Sequence, residues 1–316
     1  AIAEKLQTQN NLNVEYENVM VTNGAKQAIY NLFQVLLNDG DEVIIPAPYW
    51  LSYPQMVRLA GGKPVFLNSS AEDGFKINIQ DLKSKISPKT KFIIINSPNN
   101  PTGRVMPKED LLQIAELVRE NKNINILSDE IYELILKKEF KHLSLASLAT
   151  DLKERIFIIN GFAKGWAMTG WRVGYLVGQK DVIKASSALQ SQSTSNVCSF
   201  VQRGALEALK INREFFLEIN SHYDLRREVL YKGLKNIEGL FIYPPNGAFY
   251  AFPRLPNNSM TSVEFCKRIL NDYGLVVVPG KPFGDDQCIR ISCASSKEKI
   301  LDGLTRLEKG ILNYYF

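Results

Sequence analysis

Short apolar runs rich in β-branched residues alternate with helical segments along the first 180 residues of this chain. Seven of these runs have the length and composition of buried strands, at residues 19–22, 42–45, 64–67, 91–96, 124–128, 156–159 and 173–177. Strands that alternate with helices form a largely parallel sheet. We therefore predict an α/β fold with a mostly parallel (mixed), doubly wound, seven-stranded sheet. In such sheets, ligands bind at the carboxyl ends of the strands.

The pattern changes after Gly178. Residues 180–238 have helical character, and the rest of the chain mixes short strands near 240–243, 247–252, 275–278 and 287–293 with helices. We predict a large domain over residues 13–210 and a smaller α+β domain over residues 211–316, grouped with residues 1–12. Residues 1–12 resemble the end of an amphipathic helix, so we expect the natural N-terminus to lie upstream of Ala1.

Composition excludes several classes of protein. The 316 residues are 45% hydrophobic, and the net charge of +5 is small, so we expect a large core and no nucleic-acid partner. No apolar stretch reaches the roughly 18 residues of a membrane span. Four cysteines without CxxC spacing are typical of free thiols, which favours the cytoplasm, although the plastid stays open if a transit peptide precedes Ala1. Two histidines argue against a histidine metal site, and we expect no metal.

A lysine lies in a loop between two of the predicted strands. The strand at 156–159 ends at Asn160-Gly161, Lys164 follows among small and aromatic residues, and Arg172 precedes the next strand. Burial disfavours the ammonium form and so lowers the lysine pKa, as Schiff-base chemistry requires. The planar guanidinium of Arg172 suits a phosphate. Together they indicate pyridoxal phosphate (PLP), and the alternative is a pair of ordinary loop charges.

Other strand ends offer the remaining groups that PLP needs. Asp129 could keep the pyridine nitrogen protonated, Tyr132 and Asn100 could bond the phenolic oxygen, and Trp50 could pack on the ring. Gly24-Ala25-Lys26 begins a helix and presents free backbone N–H groups to a phosphate. By itself this last segment could be a plain strand-to-helix turn, so the hypothesis depends on the whole set.

Three motifs resemble those of class I aminotransferases of fold type I. They are Asn96 to Gly103 (Asn-Ser-Pro-Asn-Asn-Pro-Thr-Gly), Ser128 to Tyr132 (Ser-Asp-Glu-Ile-Tyr) and Lys164 to Tyr175 (Lys-x-x-x-Met-Thr-Gly-Trp-Arg-x-Gly-Tyr). The chain is most similar to the bacterial and plastid-type aspartate aminotransferase subgroup, which includes prephenate aminotransferases. The lysine motif is the most specific of the three, and the resemblance covers essentially the whole chain.

This resemblance implies three catalytic residues. Lys164 would hold the cofactor aldehyde and serve as base and acid of the 1,3-proton shift, Asp129 would pair with the pyridinium nitrogen, and Tyr132 would bond the phenolic oxygen. The cofactor-binding set would contain these three residues together with Gly24, Ala25, Lys26, Trp50, Asn100 and Arg172.

The implied substrate-binding set is Trp50, Asn100, Arg290 and Lys26. Arg290 would bind the substrate α-carboxylate bidentately. A dicarboxylate needs a second cation, and no further arginine stands out. The resemblance makes Lys26 the candidate, because acid-preferring members of this subgroup carry a lysine at that position. Two roles stay open for Lys26: it contacts the side-chain carboxylate of the substrate, or it neutralises the cofactor phosphate or faces solvent.

The activity that the resemblance implies is transamination of aspartate and 2-oxoglutarate to oxaloacetate and glutamate. A prephenate or other amino-acid aminotransferase of the same subgroup is an alternative. Another PLP enzyme on this scaffold, such as a lyase, would share the lysine. An effector-sensing domain of a transcription regulator is a remote alternative that needs an upstream DNA-binding domain.

The family also implies a homodimer with its active site at the interface, to which the polar residues 191–196 would contribute. Two departures from the family pattern affect this expectation. Gly161 stands where more distant members carry a phosphate-binding serine, so one hydroxyl contact is absent. The family's N-terminal arm, a substrate-contacting glycine and a tyrosine that reaches the partner's phosphate have no counterpart in the 316 residues.

Overall fold

A seven-stranded sheet forms the centre of the fold. The computed structural model describes residues 1–256 and 260–316. The strands are β1 (Val19–Thr22), β2 (Glu42–Pro46), β3 (Lys63–Leu67), β4 (Thr90–Asn96), β5 (Asn125–Asp129), β6 (Ile156–Gly161) and β7 (Gly174–Val177). Their order is β1-β7-β6-β5-β4-β2-β3, and β7 is antiparallel to both neighbours, while the other pairs are parallel. The prediction of a mixed, mostly parallel seven-stranded sheet is confirmed.

Helices cover both faces of this sheet. The helices along the first 210 residues are α1 (Ile2–Asn10), α2 (Ala25–Leu36), α3 (Tyr53–Leu59), α4 (Ile79–Lys85), α5 (Lys108–Glu120), α6 (Leu145–Leu148), α7 (Lys180–Ser193) and α8 (Ser199–Ala208). Alternate strand residues point to opposite faces. Ile94, Leu127 and Ile159 therefore share a core with α2, α3 and α7, whereas Ile126 and Ile158 share the other core with α5 and α8.

A second, smaller sheet lies in the C-terminal part. It contains β8 (Tyr250–Ala251), β9 (Val278–Pro279) and β10 (Ile289–Ser292), in the order β8-β10-β9 with antiparallel pairing. It packs with α9 (Arg213–Asn236), α10 (Ser262–Tyr273) and α11 (Lys297–Tyr315) around a core of its own. The strand predicted near 240–243 is reduced to a bridge between Phe241 and Arg254.

The N-terminal helix contacts the large sheet. Leu6 and Leu12 are buried in the core that holds β4 and α5, and the ammonium of Lys5 forms a buried ion pair with Glu133. The domain boundaries at residues 210 and 211, and the grouping of residues 1–12 with the smaller part, stay predictions. Across the described residues, no helix is both long and apolar enough to cross a membrane.

Candidate active site

Asp129, the last residue of β5, is a buried carboxylate. Its Oδ2 accepts a hydrogen bond of 2.7 Å from the hydroxyl of Tyr53, and its Oδ1 accepts one of 3.2 Å from the backbone N–H of Ile131. Burial raises the Asp129 pKa to about 6, even though these bonds and the more distant Lys164 lower it. No cationic side chain of residues 1–256 or 260–316 forms an ion pair with this carboxylate. It therefore suits a cationic ligand.

Lys164 lies in the loop that follows β6 and is more than half buried. Burial lowers the Lys164 pKa, and the positive charges of Arg290 and Arg172 lower it further, while Asp129 opposes them. Its Nζ lies 5.5 Å from the ring centroid of Phe249 and 5.9 Å from that of Tyr132. The lowered pKa enlarges the fraction of neutral amine, which is the nucleophilic form.

The side chain of Tyr132 lies among the aromatic rings near Lys164, next to Phe249 and Tyr250. Tyr132 is 3% exposed, and its hydroxyl oxygen is 3.2 Å from that of Tyr250. Burial, together with the proximity of Tyr250 and Asp129, raises the Tyr132 pKa well above its ordinary value. Tyr132 therefore stays protonated and can donate a hydrogen bond.

The N-terminus of α2 and the side chain of Arg172 form a concave site for an anion. Gly24 precedes the helix with φ +84°, and a Cβ built there would lie 2.5 Å from a guanidinium nitrogen of Arg172. A Cβ on Gly174 would lie 2.5 Å from the backbone nitrogen of Ala25. Arg172 has a left-handed φ of 55° and donates a hydrogen bond of 3.1 Å to the carbonyl of Thr169. Both glycines let the cation and the first N–H groups of α2 lie close together.

Lys26 extends over an aromatic ring. Its Nζ lies 5.2 Å from the centroid of the Trp50 ring. Trp50 in turn meets Tyr53 edge to face, with the ring centroids 5.4 Å apart. Lys26 is thus linked through Trp50 and Tyr53 to the carboxylate of Asp129.

Arg290, on β10, is a cation held by uncharged groups. Its guanidinium donates a hydrogen bond of 3.0 Å to Oδ1 of Asn100 and lies 4.5 Å and 4.8 Å from the ring centroids of Tyr250 and Phe283. In the part of the chain that the structure describes, it forms no ion pair. The described contacts thus leave its charge available to a carboxylate ligand.

The polar segment at 191–196 lies next to the turn before α2. The hydroxyl of Thr194 accepts hydrogen bonds of 2.7 Å from Gln27 and 3.2 Å from Asn23. This contact places the segment beside the anion site, but the predicted contribution to a dimer interface stays a prediction.

Taken together, the contacts connect the predicted site residues into one cluster. Gly24, Ala25 and Arg172 form one end, Lys26 and Trp50 lead to Asp129, and Lys164, Tyr132, Arg290 and Asn100 complete it. Their individual roles stay predictions. Tyr53 and Tyr250 also belong to this cluster and were not predicted from the sequence. Tyr53 follows Trp50 by three residues, and Tyr250 lies inside a predicted strand, but neither position by itself indicates what the side chain contacts.

Known proteins are similar to this chain in fold and sequence over most of the length of the chain. The family model for aminotransferases of class I and II matches residues 1–307. A protein named "Probable aspartate/prephenate aminotransferase" from Rickettsia conorii is 43% identical over 321 residues, with 98% of this chain and 80% of that protein covered. The aspartate aminotransferase of Bacillus subtilis is 42% identical over 314 residues, with the same coverage. The crystal structure of the aspartate aminotransferase from Rhizobium meliloti superposes on this chain with a TM-score of 0.94. The two chains are 36% identical, and the match covers 98% of this chain and 80% of that one.

Proposed function

Since this chain belongs to the class I and II aminotransferase family, we propose that it transfers the amino group of aspartate to 2-oxoglutarate with PLP as its cofactor. The family resemblance drawn from the three motifs is confirmed, and the chain is an aminotransferase. One observation carries the cofactor proposal. Burial lowers the pKa of Lys164, and the side chain lies close enough to Arg172 and Asp129 for both charges to change that pKa.

The chemistry of the cluster fits PLP. The buried carboxylate of Asp129 suits the protonated ring nitrogen, because no cationic side chain of the described residues forms an ion pair with it. The space around Gly24 and Gly174, which a Cβ would fill, suits a phosphate held by the α2 N-terminus and Arg172. When bound, PLP supplies an electron sink for the carbanion that forms at the substrate Cα.

Four further residues would bind the cofactor or move the proton. Lys164 would hold the cofactor aldehyde and move a proton at the substrate Cα, a task for an amine with a lowered pKa. Tyr132 would donate to the phenolic oxygen, and Trp50 would pack on the ring. Ala25 would contribute a backbone N–H to the phosphate beside Arg172.

Arg290 would bind the α-carboxylate of the substrate. Its guanidinium is oriented by Asn100 and by the faces of two aromatic rings. A planar guanidinium without an acidic partner is suited to bidentate contact with a carboxylate. This arrangement supports both amino acids and 2-oxo acids as ligands, because both carry that carboxylate.

Lys26 would bind the second carboxylate of aspartate. The position of its ammonium over Trp50 supports this role, because Trp50 is also expected beside the reacting centre. Prephenate is a second candidate substrate, favoured by the name of the Rickettsia conorii relative. Prephenate also carries two carboxylates, so the same lysine would serve it.

A homodimer remains part of the proposal. The contact of Thr194 with Gln27 brings the polar segment at 191–196 beside the proposed phosphate site, where a second chain would complete the pocket.

The four cysteines are free thiols, which supports a reducing compartment such as the cytoplasm.

Borohydride trapping tests the cofactor proposal. The protein is saturated with PLP, reduced and digested, and mass spectrometry locates the added mass. We expect the mass on Lys164, and none on that peptide in Lys164→Ala, since a methyl group cannot bind the aldehyde. Lys180→Ala, at an exposed lysine, is the matched control and should keep the label on Lys164. A label that stays equally strong in Lys164→Ala would contradict the assignment.

Kinetics of Lys26→Ala test the substrate. Losing a charge-assisted hydrogen bond should lower kcat/KM for aspartate roughly ten- to a hundredfold, while alanine as donor changes little. Equal losses for both donors would assign Lys26 to the phosphate instead. Comparing oxaloacetate with prephenate as acceptors of the wild-type enzyme decides between the two substrates.

A further inference from the structure

Tyr250 is a buried residue that contacts two proposed site residues at once. It is 7% exposed, its hydroxyl lies 3.2 Å from that of Tyr132, and its ring face lies 4.5 Å from the guanidinium carbon of Arg290. It belongs to β8, where it pairs with Ser292 of β10, the strand that carries Arg290. One side chain thus connects the cofactor side of the site to the substrate side.

We propose that Tyr250 is a positioning residue whose hydroxyl orients Tyr132 and whose ring orients Arg290. This inference rests on the proposed function, because it assumes that Tyr132 faces the cofactor and that Arg290 faces the substrate. It assigns separate tasks to the two ends of one side chain. The two tasks are therefore separable by mutation.

The number of hydroxyl protons decides which tyrosine donates to which. Tyr132 and Tyr250 each have one hydroxyl proton, and among the described residues Tyr250 is the hydrogen-bond partner of the Tyr132 hydroxyl. When Tyr132 donates to the cofactor, its oxygen can only accept the proton of Tyr250. A donor that also accepts is polarised and donates more strongly. Tyr250 therefore strengthens the bond that Tyr132 makes and holds its rotamer.

The ring of Tyr250 is one of the groups that orient Arg290. Its guanidinium carbon lies 4.5 Å from the ring centroid of Tyr250 and 4.8 Å from that of Phe283, and one guanidinium nitrogen donates a hydrogen bond to Asn100. Aromatic faces attract the cation without neutralising its charge as a carboxylate would. Removing one face would let the guanidinium move before the substrate binds.

The backbone around Tyr250 is itself fixed. Ala248 is fully buried with a left-handed φ of 53°, and its carbonyl accepts a hydrogen bond of 2.5 Å from the buried Arg227 of α9. The N–H of Ala248 donates 2.9 Å to the carbonyl of Ile135, three residues after Tyr132. The segment around Tyr250 is thus hydrogen-bonded to the loop that follows Tyr132. A left-handed φ at a residue other than glycine is a backbone strain that is common at functional sites.

A double-mutant cycle tests the hydroxyl. The readout is the pH midpoint of the visible absorbance band of the bound cofactor in wild type, Tyr132→Phe, Tyr250→Phe and the double variant. A donor to the phenolic oxygen stabilises its deprotonated form, so weaker donation moves the midpoint to higher pH. We expect about 1–2 pH units for Tyr132→Phe and about 0.1–0.6 unit for Tyr250→Phe. The double variant should match Tyr132→Phe, because Tyr250 acts through Tyr132. Tyr223→Phe, in the same aromatic cluster, is the control and should leave the midpoint unchanged.

Steady-state kinetics test the ring. Tyr250→Phe should keep KM for the amino acid within about twofold, whereas Tyr250→Leu should raise it roughly 2- to 30-fold through the loss of the cation–π contact. Additive midpoint shifts, no shift in Tyr250→Phe, or an equal KM rise in both variants would overturn the inference while the proposed function stands. A wild-type protein without the visible band would overturn the proposed function and this inference with it.

Discussion

Tyr53 offers a test of the proposed cofactor site through pH. Its hydroxyl donates a hydrogen bond of 2.7 Å to Asp129, and both side chains are buried. Phenylalanine keeps the ring and its edge contact with Trp50 but removes the donor. A hydrogen bond to a charged group contributes about 1.5–3 kcal/mol, which corresponds to about 1–2 pKa units. Because burial already raises the Asp129 pKa to about 6, we expect it to reach roughly 7–8 in Tyr53→Phe.

The direction of the effect on cofactor binding follows from the charge of Asp129. The carboxylate pairs with the cationic ring nitrogen only when Asp129 is ionised, so the contribution of Asp129 to affinity is constant above its pKa and falls about tenfold per pH unit below it. In wild type the fall begins near pH 6, the pKa of Asp129. Besides burial and the Tyr53 hydrogen bond, this pKa depends on the hydrogen bond from the Ile131 backbone N–H and on the charges of Glu130 and Lys164, and the substitution leaves all three in place. In Tyr53→Phe, affinity at pH 7 should therefore drop roughly two- to tenfold and return to the wild-type value near pH 9.

Titration of the cofactor-free protein with PLP between pH 5.5 and 9, followed by tryptophan fluorescence, measures this effect. Tyr175→Phe is the matched control. Tyr175 and Tyr53 are each 1% exposed, but the hydroxyl of Tyr175 has no hydrogen-bond partner among the described atoms. The control should therefore follow the wild-type curve. Parallel curves for wild type and Tyr53→Phe, or an equal shift in the control, would refute the reasoning.

Two stability predictions use paired substitutions. Lys5→Met leaves the buried Glu133 without its ion-pair partner and should cost about 3–5 kcal/mol of unfolding free energy in urea at pH 7, whereas Lys180→Met, in an exposed pair, should lower the unfolding free energy far less. Gly174→Ala drives a Cβ to 2.5 Å from backbone at the start of α2; it should cost about 1–3 kcal/mol and weaken PLP binding in the same titration. Gly170→Ala, which meets no described atom within 4 Å, should change neither. Equal costs within either pair would contradict the packing that we describe.

The large sheet was predictable because its signal is local. Each of the seven predicted strands overlaps an observed one, since short buried runs such as 91–96 stand out from the helices between them. The site residues at strand ends were predictable for a related reason. The carboxyl ends of parallel strands meet at one edge, so Asp129 and Asn100 could be assigned to one site before any contact was known.

Tyr53 and Tyr250 were not predictable because their roles depend on geometry between distant segments. Tyr53 begins α3, a helix of seven residues too short to show clear periodicity, and it contacts Asp129 across 76 positions. Tyr250 lies in a strand of two residues whose partner strand begins at Ile289. Antiparallel pairing at that separation leaves no mark in the local sequence.

The register of β6 and β7 explains why a glycine fits at position 161. Gly161 lies directly opposite Gly174, and a Cβ on Gly161 would lie 2.7 Å from the Cα of its partner. Gly174 in turn lies against the backbone of Gly24 and Ala25. Two facing glycines therefore let β7 approach both β6 and the N-terminus of α2, which carries the proposed phosphate site. A serine at 161 would add a hydroxyl but would push β7 away from β6. The departure from the family pattern thus exchanges a side-chain contact for closer backbone packing around the anion site.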